Sequence, residues 1–484
     1  MLKIKYHIIV IALLLSGAMS FSQERFNSAL DIPQIDIGYY IKETLTGFEV
    51  AGIKPGSNDF NSFLYKLDIQ GNFISIDTIH SYGEINGGPY KFKSGYAVSG
   101  QKDSISGIGY KKPFFSIINE VLDTTWTYHA LDFIYEGYFV NPIYLGGNEL
   151  VVGGTYYVNP SQQDMFLSKF DTLGNLIWEN KHVIGSFGTR TTSIDKVSDG
   201  GFILSGATTS FGNGIGTTID IYIRKVDSLG DFQWHKYWGS ALNEQGKCIV
   251  AQDSIIIVYG GTRENGSDYD NFVTVLDING NVLWDTIFSL NSSLDEEVNA
   301  VVRTQDGSIV CAISYVDDVS GVPHGALVKF LPSGQLAWKR TYSIRIYDQY
   351  FRDLIQTSDG GYAMTGFVFP DGSGNTQDVW VVKVDSMGCD VPLCYLGERE
   401  LGLELPILKC YPNPTSSIST IELLENSREI QLYNSAGILQ KKIEIENNQK
   451  ELKLDLSLFP HDIYILRLLD KNGVTIGQGK VVKQ

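Results

Sequence analysis

The side chains that most often do chemistry are sparse in this chain and do not gather. Six histidines follow the N-terminal apolar segment, at His80, His129, His182, His235, His324 and His461. None stands in the HExxH or paired spacing of a zinc site, so no metal is expected. The aspartates are periodic instead of singular. Asp164, Asp220, Asp270 and Asp378 open short apolar strands, and Asp68, Asp171, Asp227, Asp277 and Asp385 close them. A catalytic carboxylate pair is unique in its chain. One carboxylate per repeat is what turn capping gives, because Asp accepts hydrogen bonds from nearby backbone N–H groups. No G-x-S-x-G elbow or phosphate-cradling loop is present. Cys248 and Cys311 lie in apolar runs and read as small buried hydrophobes. Cys389 and Cys394 enclose a four-residue gap; in an exported chain they pair or stay thiols, and spacing leaves both open. No catalytic residue and no cofactor is assigned.

The elements that carry these residues are repeated. KFDTLGNLIW, KVDSLGDFQW, TVLDINGNVLW and KFLPSGQLAW are one hairpin written four times. Its turn glycine stands at Gly71, Gly174, Gly230, Gly280, Gly334 and Gly388, at intervals of 103, 56, 50, 54 and 54 residues. The long first interval holds two periods, because VLDTTW aligns Trp126 with the other tryptophans and puts Leu122 at the glycine position. Seven units result. Residues 192–234 show the grammar of one: TSIDKVS alternates, DGG turns, FILSGAT returns, DIYIRKVD alternates again, SLG turns and DFQWHKYW returns. Two hairpins make four antiparallel strands, and a period near fifty residues points to propeller blades. The expected fold is therefore all-β: a seven-bladed β-propeller of four-stranded blades plus a small C-terminal β-sandwich. Trp126, Trp178, Trp234, Trp284 and Trp338 lie four residues beyond the turn position. One large flat side chain per outer hairpin suits packing between neighbouring sheets. The seventh unit ends after KVDSMGC without a returning strand, and QERFNSA at 23–29 lacks a hairpin partner. The orphan strand is expected to fill the vacancy.

The hairpin resembles the tryptophan-docking repeat of propellers related to pyrroloquinoline-quinone dehydrogenases, over roughly residues 30–390. The resemblance implies the fold and not the quinone chemistry, since no vicinal cysteine pair is present.

The first residues carry a different message. Lys3 and Lys5, the apolar run Ile8 to Leu15 and the small residues after it have the layout of a secretory signal peptide over 1–22, with Gln23 as mature N-terminus. No later segment reaches eighteen apolar residues, so no stable membrane span is expected. With 38 basic against 55 acidic side chains and a formal charge of −17, nucleic acid is excluded as a partner. Domains are expected at 23–394, with a linker at 395–404 and a terminal domain at 405–484.

That terminal segment begins with Tyr411, Pro412, Asn413 and Pro414 and continues in short alternating strands, among them LYNSAG and KLDLSLFPHDIYILRL. It resembles the type A sorting domain of the type IX secretion system in Bacteroidota. The family commonly has glycine near Ile463, where this chain has Asp462, a residue tolerant of a left-handed turn. The resemblance implies recognition by the outer-membrane translocon and a surface sortase, with passage through the periplasm to the outer surface or the medium. The expected role of the propeller is non-catalytic binding of a protein or glycan, or adhesion. The loops at 209–219 and 369–377 are the candidate contact face. The alternative is a polysaccharide-active hydrolase or lyase, which two carboxylates and a His or Tyr at one channel mouth would favour.

Overall fold

The computed structural model describes residues 23–391 except 31–36, 55–60, 80–83, 86–89, 93–94, 104–110, 120–121, 123, 130–136, 160–161, 212–214, 240–241, 251–254, 264–268, 291–295, 317–320 and 371–375. It also describes Cys394, and 408–484 except 425, 435–438, 447–448 and 472–474. The signal-peptide and linker segments and His80 lie outside these residues. The chain divides into two compact units, one spanning Glu24–Glu404 and the other containing Leu405–Gln484. Among the described residues the structure is all-β, with no α-helix.

In the larger unit each repeat is one antiparallel sheet. The fourth runs Thr189–Lys196, Phe202–Thr208, Asp220–Val226, Phe232–Trp238, paired in that order. The second repeat differs: its first strand is split into Glu84–Ile85 and Tyr90–Phe92, both paired with Gly95–Asp103. Burial follows position in the sheet. Phe202–Thr208, Ile256–Thr262 and Tyr362–Val368 are buried at every residue, whereas the outermost Phe232–Trp238 and Val282–Phe288 alternate between exposed and half-buried. A strand covered on both faces reads as a continuous apolar run, and an outer strand keeps a wet side.

Successive sheets pack face to face. The period of two sends Phe202 and Leu204 into a core shared with the third repeat, and Ile203 into one shared with the fifth. The seventh repeat supplies three strands, Gln349–Gln356, Tyr362–Val368 and Asp378–Val384, and Phe26–Leu30 is the fourth. It pairs antiparallel with its neighbour, Phe26 opposite Lys383 through Leu30 opposite Val379. The first and seventh repeats share a core as well, in which Ile41, Phe48, Val50 and Tyr65 meet Ala363, Val379 and Val381.

The innermost strands carry a recurrent irregularity. Register slips by one residue at Tyr39, Thr192, Asn299 and Arg352, and again by one across Val140 and Asn141, which together stand opposite Gly153. Each is a β-bulge, which leaves a residue unpaired and re-aims its side chain.

The smaller unit has two sheets. Cys410–Tyr411, Ile418–Glu422 and Glu451–Asp455 form one; Leu439–Glu444, Glu429–Tyr433, Asp462–Leu469 and Thr475–Lys483 form the other. Between them lie Ile421, Ile430, Leu432, Leu454, Tyr464, Leu466 and Val481. Asp462 opens a strand, and no left-handed turn is found there among the described residues.

Candidate ligand-binding cavity

The strand-closing aspartates cap their turns. Oδ1 of Asp68, Asp171, Asp227, Asp277 and Asp385 accepts backbone N–H groups two and four residues on, at 2.8–3.0 Å. The SDGG turns add an ion pair: Asp199 meets Lys225 at 2.5 Å and Asp359 meets Lys383 at 3.0 Å. At the turn summit Leu122 has φ +66°, the same left-handed geometry as the glycines it replaces. The strand-opening aspartates depart from the turn-capping expectation. Asp164, Asp220 and Asp378 are buried and reach sideways. Asp164 accepts the Ile184 N–H at 2.8 Å, and Asp378 pairs with Arg345 at 3.1 Å. Among the described residues no backbone donor reaches either oxygen of Asp220, which lies beside Glu244. Burial and the neighbouring Glu244 carboxylate push its pKa up to about 6. A strand that enters the sheet from a connecting segment presents its first side chain to that segment, which is why these groups do not cap.

The tryptophans lie over the turn glycine of the next repeat. A methyl group on Gly174 would fall 2.0 Å from the Trp126 ring, and on Gly334 2.9 Å from Trp284. The matching distances are 3.1 Å for Gly230 and Trp178, 3.2 Å for Gly280 and Trp234, and 2.8 Å for Gly388 and Trp338. Gly71 meets Phe26 in the same way, at 2.5 Å. Phe26 stands opposite Lys383 as Trp338 stands opposite Lys329. The structure brings none of these rings to a common platform.

Cys389 and Cys394 form a disulfide with their Cα atoms 5.4 Å apart. Cys311 is a buried free thiol, and burial pushes its pKa far above the ordinary value. Among the described residues no histidine joins a metal-binding cluster. His182 is buried, and desolvation holds its pKa down to about 4.

One cavity of about 420 Å³ lies where the fifth, sixth and seventh repeats meet, a size within the roughly 300–1,000 Å³ usual for small-molecule sites. Gly261 and Tyr269 flank the connection between the second and third strands of the fifth repeat. Val316 and Pro323 flank that of the sixth. Glu297 and the bulge residue Asn299 come from the innermost strand of the sixth repeat, and Tyr350 and the bulge residue Arg352 from that of the seventh. Asn299 donates to Ser314 Oγ at 2.9 Å. Tyr350 is backed by Phe367, ring centroids 5.0 Å apart, and Arg263 lies 4.1 Å over Tyr269. The other carboxylate of the wall, Glu296, is buried and already committed: it accepts the Leu290 N–H at 2.8 Å and the Asn271 amide at 2.5 Å. None of these residues was singled out from sequence. Their one signal is positional, since Thr192, Asn299 and Arg352 each precede the turn aspartate (Asp199, Asp306, Asp359) by seven residues.

In the smaller unit the Tyr-Pro-Asn-Pro stretch holds the last strand. The Asn413 amide donates to the Lys480 carbonyl at 2.7 Å, and its Oδ1 accepts the Val482 N–H at 2.9 Å. Thr415 bonds Val482 and Gln484, Ser419 donates to the Pro412 carbonyl, and Tyr411 donates to Glu451 at 2.9 Å. The family described as secretion system C-terminal sorting domain matches this segment. Residues 409–484 are such a sorting domain. The type IX resemblance holds over this stretch, and the sorting domain marks the chain for export to the medium or the outer surface and implies contact with the secretion machinery.

No curated protein matches the chain. Among solved structures it is similar to the extracellular domain of a putative hybrid two-component system from B. thetaiotaomicron, at 10% identity and TM-score 0.38, over 95% of this chain and 60% of that one. The chain thus spans about 60% of the length of that extracellular domain. It is also similar to an ulvan polysaccharide lyase (10% identity, TM-score 0.48, 75% of this chain and 96% of that one). An α-L-arabinofuranosidase of Fusarium graminearum is similar at 13% identity and TM-score 0.41, over 75% and 98% of the two chains. Likeness of this degree speaks for neither activity nor ligand.

Proposed function

We propose that the chain is an exported protein whose 23–394 region is a closed seven-bladed β-propeller and whose role is non-catalytic binding at the cavity between the fifth and seventh blades. Closure is supported by the pairing of Phe26–Leu30 with Asp378–Val384 and by Phe26 on Gly71. Convergence of the innermost strands supports it too. Asp353 accepts the Ile41 N–H at 2.9 Å; burial pushes its pKa up to about 6, and Lys247 of the fifth repeat is near enough to offset part of that rise. Phe26 and the five tryptophans are read as packing residues between blades. The signal peptide, delivery to a translocon and surface sortase, and a place on the cell surface of one of the Bacteroidota complete the reading.

The observation that carries binding over catalysis is the state of Glu296. Glycoside hydrolysis by the usual acid–base route needs two carboxylates able to exchange protons with a substrate. Glu296 is buried beneath backbone and amide donors, which leaves Glu297 as the one uncommitted carboxylate among the described lining residues. The hydrolase or lyase reading keeps one observation in its favour, Glu297 with Tyr350 and Arg352 around one cavity. Surface protease accessibility and mass of the whole chain and of a form lacking 409–484 test the export half. The whole chain should reach the surface and the short form should stay in the periplasm; equal surface delivery of both overturns it. Cells displaying the Arg352→Ala protein should lose retention on ligand-bearing surfaces, and unchanged retention overturns the binding half.

A further inference from the structure

We infer that the ligand of this cavity is a neutral saccharide, an inference that rests on the binding reading above. The polar groups around the cavity differ in what they offer. Glu297 accepts only, Arg352 donates only, and Asn299, Ser314 and the tyrosine hydroxyls do both. Hydroxyl groups are the ligand chemistry that uses all three at once, because each donates one hydrogen bond and accepts two. The aromatic rings supply the other half of the match. Tyr350 has Phe367 on one face and Tyr269 has Arg263 on one face, so each ring is held as a fixed plate. The C–H face of a pyranose or furanose ring lies well on such a plate, while its hydroxyl rim reaches the polar groups.

Charge argues for neutrality. Glu296 and Glu297 stand side by side in the wall, and the single cationic residue among the described lining is Arg352. An acidic sugar meets two carboxylates with one partner; a cationic ligand meets Arg352 and the Arg263 behind Tyr269. A ligand with no formal charge leaves each group a hydrogen bond without a repulsion.

The test uses the whole chain with short neutral hexose and pentose oligosaccharides, and with uronic-acid oligosaccharides of the same length, by saturation-transfer NMR and titration calorimetry. Reducing ends are counted in the same tubes. Neutral probes should bind, and Arg352→Ala, an exposed side chain whose loss leaves the sheet intact, should weaken them at least tenfold. Tyr350→Phe, which keeps the plate and removes the hydroxyl, should weaken them less. Neutral probes bound but cleaved would support the ligand class and overturn the non-catalytic reading. Uronic-acid probes alone bound, and lost in Arg352→Ala, would overturn the ligand class and leave binding standing. No binding of any neutral probe, or neutral binding indifferent to both substitutions, would overturn the inference.

Discussion

Phe26→Ala is the sharpest test of ring closure, because Trp284→Ala provides its internal standard. Both side chains leave a fourth strand, lie half-buried, and cover the turn glycine of the next repeat, Gly71 and Gly334. Truncating a fully buried aromatic costs about 3–5 kcal/mol. Half-burial brings each of these to about 2 kcal/mol, a few degrees of melting temperature in a domain this large. Removing 23–30 takes more: five backbone pairings, the Arg25–Asp385 ion pair at 2.8 Å, and the bond from the buried Trp380 indole to Asn27 at 2.7 Å. At about 1 kcal/mol for each hydrogen bond, and more for a buried donor left unpaired, the sum is comparable to the roughly 5–15 kcal/mol that holds a whole domain together. Thermal denaturation of the three variants, followed by circular dichroism and by pelleting, is the assay. Phe26→Ala and Trp284→Ala should fall together within about 1 kcal/mol. The deletion should melt far lower and aggregate through the bared edge of Asp378–Val384. If Phe26→Ala melts like the wild type while Trp284→Ala does not, Phe26 is not the seventh repeat's equivalent of the five tryptophans and the closure argument fails.

Three further outcomes follow from the geometry. Asp220 has a folded pKa near 6 against an ordinary 3.8, so the folded state binds its proton more tightly and the group's contribution falls as pH rises from about 4 to 6. Asp220→Asn should therefore stabilise the protein by about 1–3 kcal/mol at pH 7 and by almost nothing at pH 4; equal effects at both pH values would refute it. Asn413→Ala removes two bonds to the terminal strand and should cost about 1 kcal/mol, read as faster hydrogen exchange over 475–484 with the larger unit unaffected. Thiol titration in denaturant should count three of the five cysteines before reduction and all five after it, and five at the outset would exclude the disulfide.

What could be read from the sequence is what repeats. Turn glycines, turn aspartates and alternating strands are local features of period two, and aligning Trp126 located even Leu122, whose φ is positive where no glycine marked it. The orphan strand was legible by subtraction, but the role of Phe26 was not, since nothing local separates it from any other aromatic. The cavity was hidden for a different reason. Tyr269, Glu297, Asn299, Tyr350 and Arg352 come from three repeats. Their meeting depends on how sheets stack, which leaves no trace in sequence, and on where a strand slips by one residue, which leaves only the seven-residue spacing to the turn aspartate.

The bulges on the innermost strands also bear on how such a protein changes over generations. Tyr39, Thr192, Asn299 and Arg352 each sit outside the ladder of their own strand. The backbone pairing of the strand does not pass through these residues, although Thr192 bonds the Gly246 carbonyl of the next repeat and Asn299 bonds Ser314. The repeats thus offer equivalent stations on their first strands, of which this chain has furnished two adjacent ones, Asn299 and Arg352, as one cavity wall. A descendant could move its specificity to another pair of repeats by substitution alone, with no insertion and no loss of fold.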